Sequence, residues 1–121
     1  MIILASENLA RFVRFLETKY PAERDVYLTV LHAYDSVGND EHAEGWAVYL
    51  APESDKDKPV IMLPGKLPEI KGVKLSEIDI FESLAHEYCH HLQWCRSTAF
   101  DEDEADDFAE KAVDAFQLET K

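Results

Sequence analysis

Residues 76–95 read Ser-Glu-Ile-Asp-Ile-Phe-Glu-Ser-Leu-Ala-His-Glu-Tyr-Cys-His-His-Leu-Gln-Trp-Cys, and they contain both a helix start and a packing face. Ser76 and Asp79 form a capping-box-like start, which predicts a helix that runs to about Trp94. On a helical projection of about 100° per residue, six apolar side chains share one arc, which we expect to be the packing face. This packing face consists of Phe81, Leu84, Ala85, Tyr88, Leu92 and Cys95.

The opposite side of this helix carries His86-Glu-Tyr-Cys-His90, an H-E-x-x-H motif. Two histidines four residues apart project from one helical face, close enough to bind one metal ion. Glu87 lies at the edge of that face, where its carboxylate can take a proton from water activated by the ion. The motif therefore supplies two zinc ligands and a general base, the core of a metallohydrolase. His91 projects about 100° away, so we expect it at the surface or supporting a ligand.

The motif has an alternative interpretation, because roughly one unrelated chain of this length in a few hundred would carry it by chance. The helix would then be an exposed polar helix with histidines by accident. Cys89 could also reach a metal bound to His86, although free cysteine more often behaves as a small buried hydrophobe. Cys89 and Cys95 are separated by about 9 Å along the helix axis, which excludes a disulfide between them.

The composition indicates one acidic domain over residues 1–121. Twenty-five acidic and twelve basic residues give a net charge of −13. This charge repels nucleic acid and anionic membranes, and it favours cations and basic partners. The apolar start Met1–Leu4 is too short for a signal peptide, and no stretch approaches the length of a membrane span. We therefore expect a cytoplasmic protein with reduced cysteines. The sequence does not indicate an oligomeric state.

The remaining elements follow from periodicity and turn residues. A helix over residues 6–19 begins at a cap, Ser6, and strands are predicted at 25–34, 45–50 and 59–63. The last two strands are expected to form a hairpin. Residues 36–44 and Gly65–Lys74 are predicted loops, and a break at Arg96–Phe100 precedes a final helix over about 101–118. The order of helix, three strands, helix and helix indicates an α+β fold.

The final helix opens with a dense acidic run, Asp101-Glu-Asp-Glu-Ala-Asp-Asp107. Helix N-termini favour acids, and Asp101 with Glu104 would form a capping pair. That accounts for two or three carboxylates, whereas six of these seven residues are acidic. Because such dense like charges repel, we expect a bound cation or a basic partner to relieve them, and one carboxylate to be the third zinc ligand.

The pentad followed by Glu102-x-x-Ala105-Asp106-x-Phe108-Ala109 resembles the zinc peptidases called gluzincins, in particular the small ImmA/IrrE-type and minigluzincin branch. The resemblance implies a minimal zincin-like domain. Such a domain has an N-terminal helix, a three-stranded sheet with a hairpin, an active-site helix and a C-terminal helix that bears the ligand glutamate.

The resemblance also implies roles for individual residues. It assigns the third zinc ligand to Glu102, and to Asp106 a hydrogen bond that fixes the tautomer of a ligating imidazole. Glu104 is the alternative ligand if the helix is rotated. The family usually has glycine where this chain has Cys89, and the gap between His90 and Glu102 is short for the group. The choice between Glu102 and Glu104 therefore stays open.

Zinc-dependent hydrolysis of peptide bonds, with Glu87 as general base, is the expected activity. Trp46 and Tyr49 would be cleft residues by analogy, and packing on a half-buried strand is an equal alternative for both. Tyr34, Tyr49 and His42 are candidate oxyanion donors. The expected partner is a protein or peptide substrate, with a basic target favoured by charge, and neither nucleic acid nor membrane. The competing hypotheses are a catalytically silent zinc-binding domain and an acidic interaction protein without metal.

Overall fold

The computed structural model describes residues 7–30, 47–52, 57–63, 69–70, 73–74 and 76–119. Its central element is the helix α2, which spans Glu77–Cys95. Ser76 caps this helix as expected: its Oγ accepts a hydrogen bond from the Asp79 N–H at 3.3 Å. The Asp79 carboxylate in turn accepts one from the Ser76 N–H at 2.8 Å. The capping box therefore fixes the start of α2 and the direction of each face.

The other two helices also agree with the predicted ranges. The first, α1, spans Glu7–Lys19, and the last, α3, spans Glu102–Glu119. Asp101 Oδ1 accepts a hydrogen bond from the Glu104 N–H at 3.0 Å, which is the expected capping pair of α3. The proposed cap of α1, Ser6, lies outside the described residues.

A three-stranded mixed sheet lies between α1 and α2 in the chain. Its strands are β1 (Tyr27–Val30), β2 (Val48–Leu50) and β3 (Val60–Leu63), with β3 in the centre. β2 pairs antiparallel with β3, as the predicted hairpin requires, and β1 pairs parallel with β3. The loop predicted at 36–44 and parts of the ranges predicted for the first two strands lie outside the described residues.

The loop predicted over Gly65–Lys74 is wrong in part, because it contains two short strands. β4 (Glu69–Ile70) and β5 (Val73–Lys74) pair antiparallel. Strands of two residues are too short to show an alternating pattern in the sequence, so the sequence does not indicate them.

The core forms where the three helices meet. Phe12 of α1 is fully buried, stacks on Phe81 of α2 at 4.6 Å between ring centroids, and meets the Phe116 ring edge-on at 5.1 Å. Within the predicted packing face of α2, Leu92 and Cys95 are only half-buried, and the other four members are buried. The helix thus presents its predicted arc to the core.

The opposite face of α2 is also covered, because α3 packs along it. Cys89, His90 and Gln93 are each no more than 5% exposed. The alternative interpretation of α2 as an exposed polar helix is therefore wrong. Among the described residues, no helix combines the length and the apolar composition that crossing a bilayer requires.

Candidate metal centre

Two turns of α2 and the first residue of α3 bring three potential ligands together. His86 Nε2 and His90 Nε2 are 3.1 Å apart. Glu102 Oε2 lies 3.0 Å from His86 Nε2, and Oε1 lies 2.8 Å from His90 Nε2. Ligands at about 2.0–2.1 Å from one zinc ion in a tetrahedron are separated by roughly 3.3 Å. These three residues, called here the three-residue cluster, therefore have nearly the spacing that a single ion needs.

The tautomer of His86 is set by Asp106. The Asp106 Oδ1 atom lies 2.8 Å from His86 Nδ1. Because a carboxylate accepts hydrogen bonds, Nδ1 carries the proton and donates it, and the lone pair of Nε2 faces the cluster. The structure thus places Asp106 within hydrogen-bonding distance of His86.

The tautomer of His90 is set by Gln93, whose Oε1 lies 2.9 Å from His90 Nδ1. The backbone of Asp101 fixes the orientation of the Gln93 amide, because its N–H donates to Oε1 and its carbonyl accepts from Nε2, each at 3.2 Å. His90 Nδ1 must therefore be the donor, and its Nε2 lone pair also faces the cluster. No motif in the sequence marks Gln93, although it stands three residues after His90, a spacing at which helical side chains meet.

The chemistry of these donors fits a cation. Two imidazole lone pairs and two carboxylate oxygens face one another, and both Nδ1 protons are engaged elsewhere. Without a positive ion, or an additional proton on one imidazole, this arrangement is repulsive. Two imidazoles and one carboxylate are a donor set that catalytic zinc uses. The Glu102 side chain is 70% exposed, so an ion can reach the cluster from solvent.

Glu104, the alternative ligand, forms its hydrogen bonds with residues other than the two imidazoles. Its Oε1 accepts hydrogen bonds from Gln93 Nε2 and from Arg96 Nη2, both at 2.9 Å. These bonds hold the pKa of Glu104 below its usual value. The Cys89 thiol donates to the same oxygen at 3.9 Å, and burial raises the pKa of Cys89 to about 11. The structure thus brings Glu102, and neither Glu104 nor Cys89, to the imidazoles.

Glu87 lies between the cluster and the sheet. Its Oε2 accepts a hydrogen bond from the Tyr49 N–H of β2 at 3.1 Å. Burial raises the pKa of Glu87, and the neighbouring imidazoles and the Tyr49 N–H partly oppose this shift. One helical turn earlier, Ser83 Oγ accepts from the Ala47 N–H at 3.0 Å. Two α2 side chains thus hold alternate amides of the segment that forms β2.

His91 is fully buried, so the expectation that it might lie at the surface is wrong. Its Nε2 donates to the Arg24 carbonyl at 2.6 Å, and burial lowers the pKa of His91, which favours the neutral ring. Nδ1 is therefore an acceptor, and it receives the Tyr49 hydroxyl proton at 2.9 Å. Because that proton is engaged, Tyr49 is a poor oxyanion donor in this arrangement. Trp46, Tyr34 and His42 lie outside the described residues.

Phe100 lies beside the site, next to His90 and Tyr49, and no motif in the sequence predicts this position. Its ring centroid lies 5.0 Å from that of His90 and 6.1 Å from that of Tyr49. The residue is 52% exposed, so its ring is open to solvent on one side. An exposed aromatic beside a polar cluster offers an apolar contact for a ligand. In the sequence, the only indication of a role for Phe100 is its position directly before the acidic run.

Comparisons with protein-family models, with curated proteins and with solved structures find no match to this chain.

Proposed function

We propose that this protein is a zinc-dependent metallopeptidase with a minimal zincin-like fold. His86, His90 and Glu102 would hold the ion, and Glu87 would be the general base. The observation that carries the proposal is the convergence of two imidazole lone pairs on the Glu102 carboxylate, each imidazole being oriented by its own acceptor. Glu87 follows the first ligand directly and lies beside the cluster, where a base is required.

His86, His90 and Glu102 would hold the zinc ion, which would supply a Lewis acid able to polarise a carbonyl and to lower the pKa of water to about 7. Glu87 accepts the proton of the attacking water and returns it to the leaving amine. Its raised pKa favours this role, because a base works best when its pKa approaches the working pH. The Tyr49 N–H orients the carboxylate by holding Oε2, and the other oxygen carries the proton.

The proposed substrate is a protein or peptide with a basic segment. The acidic residues that open α3 are exposed and adjoin Glu102, so they favour positively charged chains near the cluster. Phe100 adds an apolar contact on the His90 side. Both cysteines are free, which agrees with a reducing, cytoplasmic setting. The net charge of −13 argues against nucleic acid as a partner.

The proposal is tested first by elemental analysis of protein purified without added metal, which should contain one zinc ion per chain. Hydrolysis of quenched fluorescent peptides rich in lysine and arginine should depend on that zinc. Glu87→Gln should retain the metal and lower the rate of hydrolysis by about 10²–10⁴-fold, because the base is lost while the ligands remain. Undiminished hydrolysis by Glu87→Gln would exclude Glu87 as the base.

The third ligand is tested by a matched pair of variants that remove the same charge. Glu102→Ala should lose the bound zinc, whereas Glu104→Ala should keep it, because the Glu102 oxygens lie within 3.0 Å of both imidazole Nε2 atoms and Glu104 Oε1 is bonded to Gln93 and Arg96 instead. Elemental analysis of both variants after identical purification gives the answer. The opposite result would assign the third ligand to Glu104.

A second candidate function is a zinc-holding domain that binds a basic partner without turnover. The exposed acidic opening of α3 favours it, because six carboxylates exceed what catalysis and capping require. Bound zinc with no hydrolysis of any peptide tested would support this candidate. Protein without zinc, whose stability does not change on chelation, would instead indicate an acidic interaction protein.

A further inference from the structure

Gln93 is a buried amide in which every hydrogen-bonding position is occupied. The residue is 1% exposed. Its Oε1 accepts from His90 Nδ1 at 2.9 Å and from the Asp101 N–H at 3.2 Å. Its Nε2 donates to the Asp101 carbonyl at 3.2 Å and to Glu104 Oε1 at 2.9 Å. An amide offers two acceptor and two donor positions, so Gln93 is fully satisfied by these three residues.

The orientation of this amide is forced. Exchanging its oxygen and nitrogen would place an NH₂ group against the Asp101 N–H and an oxygen against the Asp101 carbonyl. Both contacts would then be repulsive, at a buried position where unsatisfied polar groups are costly. The acceptor that meets His90 is therefore determined by the backbone of a residue eight positions further along the chain.

The same residue also holds the path of the chain from α2 to α3. The Gln93 carbonyl accepts the Thr98 N–H at 3.0 Å and the Thr98 hydroxyl at 3.1 Å. Its side chain forms two hydrogen bonds with the backbone of Asp101, the residue directly before Glu102. The Gln93 side chain thus holds the end of the segment that delivers the third cluster residue, and the backbone bond from the Thr98 N–H holds its start without needing the Thr98 hydroxyl. This contact explains how a short connection brings Glu102 back to the imidazoles.

We propose that Gln93 is a positioning residue of the metal site, which sets the tautomer of His90 and places Glu102 through Asp101. The inference rests on the proposed function, since it assumes that the cluster binds zinc. Glutamine is suited to this role because acceptor and donor are both required. Methionine has a similar size and neither group, and glutamate keeps the acceptor for His90 but loses the donors and faces the Glu104 carboxylate.

The experiment compares zinc affinity in the wild-type protein, Gln93→Met, Gln93→Glu and Thr98→Val, measured by competition with a chromophoric chelator. Thr98→Val is the matched control, because it removes a hydrogen bond to the Gln93 carbonyl and leaves the amide in place. Gln93→Met should bind zinc about 10–100-fold more weakly, as expected when a partner of a ligating histidine is lost. Gln93→Glu should lose less zinc affinity than Gln93→Met, and Thr98→Val should bind zinc as tightly as the wild type does.

A second readout reports the tautomer directly. Imidazole ¹⁵N NMR of the metal-free wild type should show His90 protonated on Nδ1, and Gln93→Met should lose this preference. Cobalt titrations should show a changed visible spectrum for Gln93→Met and an unchanged one for Thr98→Val. If Gln93→Met does not fold, Gln93→Glu carries the comparison. Unchanged affinity and tautomer in both Gln93 variants would overturn the inference, and so would an equal loss in Thr98→Val.

The outcomes also separate this inference from the proposed function. Wild-type protein that binds zinc but hydrolyses no peptide would refute the peptidase and leave the affinity comparison decisive for Gln93. Wild-type protein that binds no zinc would refute both. Zinc binding and hydrolysis with no effect of Gln93 substitutions would refute only the positioning role.

Discussion

Each imidazole of the three-residue cluster has one nitrogen engaged by a protein acceptor and the other directed at its neighbours. Asp106 serves His86 and Gln93 serves His90. The two acceptors differ in kind, because Asp106 is an exposed carboxylate and Gln93 a buried amide. The two imidazoles of the cluster are therefore held in place by different means.

Asp106→Ala should weaken zinc binding about 10–100-fold, because His86 loses the acceptor that holds its ring and tautomer. Asp106→Asn should bind with intermediate affinity, since an amide oxygen can still accept from Nδ1. Chelator competition measures both. Asp103→Ala, which removes an equal charge from the same helical turn, is the control and should leave the affinity nearly unchanged. Equal losses in Asp103→Ala and Asp106→Ala would attribute the effect to charge alone.

The turn that joins α2 to α3 is the element on which the cluster depends. Ser97 adopts a positive φ of 58°, and the Thr98 N–H returns to the Gln93 carbonyl at 3.0 Å while the Ser97 N–H returns to Trp94. This is the Schellman arrangement, in which the residue with positive φ is usually glycine. Serine in this conformation carries a steric penalty of about 1 kcal/mol.

Ser97→Gly should raise the free energy of unfolding by about 0.5–1 kcal/mol, because glycine adopts positive φ without that penalty. Urea denaturation of the chelated protein measures the change. The control is Ala99→Gly in the same connection, where φ is not positive and glycine should not stabilise. A loss of stability in Ser97→Gly equal to that in Ala99→Gly would contradict the assignment of strain to Ser97.

Electrostatic repulsion acts on Glu82 where α2 faces α3. Burial raises the pKa of Glu82, and Asp79, Glu110 and Asp114 raise it further. A carboxyl group whose pKa is higher in the folded state destabilises the fold when ionised, and the penalty disappears as pH falls through that raised pKa. Glu82→Gln should therefore stabilise the protein at pH 7, by less than about 1 kcal/mol because the charges are largely solvated.

The pH dependence provides the check on Glu82. The gain from Glu82→Gln should diminish between pH 7 and pH 4 in urea denaturation, because the wild-type carboxyl group becomes protonated. Glu23→Gln, an equal change of charge at an exposed position before β1, should show no comparable gain at pH 7. A gain from Glu82→Gln that grows towards acid pH would have the wrong sign for this mechanism.

For the protein as a whole, bound zinc should stabilise the packing of α2 against α3. The three cluster residues come from α2 and α3, so only the folded chain brings them together. Free zinc at 100 times its dissociation constant should raise the free energy of unfolding by about 2.7 kcal/mol. For a domain of this size that corresponds to roughly 10 °C in melting temperature.

Magnesium chloride at the same ionic strength is the matched control for the zinc effect. It screens the charge of −13 equally but prefers oxygen ligands, so it should reproduce only the part of the stabilisation that comes from screening. Glu102→Ala should abolish the difference between the two salts. Equal stabilisation of the wild type by magnesium and zinc would mean that the cluster does not bind zinc specifically.

The helices could be predicted to within two residues because apolar periodicity and caps are local signals, as at Ser76 and Asp101. The strands were harder to delimit, since their pairing depends on residues far apart in the chain. The two-residue strands β4 and β5 carry no pattern of their own, so they were missed. The turn at Ser97 could not be predicted from a glycine, because a serine occupies the position with positive φ. That conformation accompanies the hydrogen bonds of the turn.

By itself, the sequence determined the two faces of α2, the placing of His86 and His90 on one of them, and a supply of acids at the start of α3. These follow from helical geometry, which local hydrogen bonds fix. Three features appear only once the chain is folded: the acid that meets the imidazoles, the ring nitrogen of each that donates a hydrogen bond, and the burial of His91. Those features depend on contacts between separate elements and across the turn between α2 and α3, whose distances no residue spacing specifies.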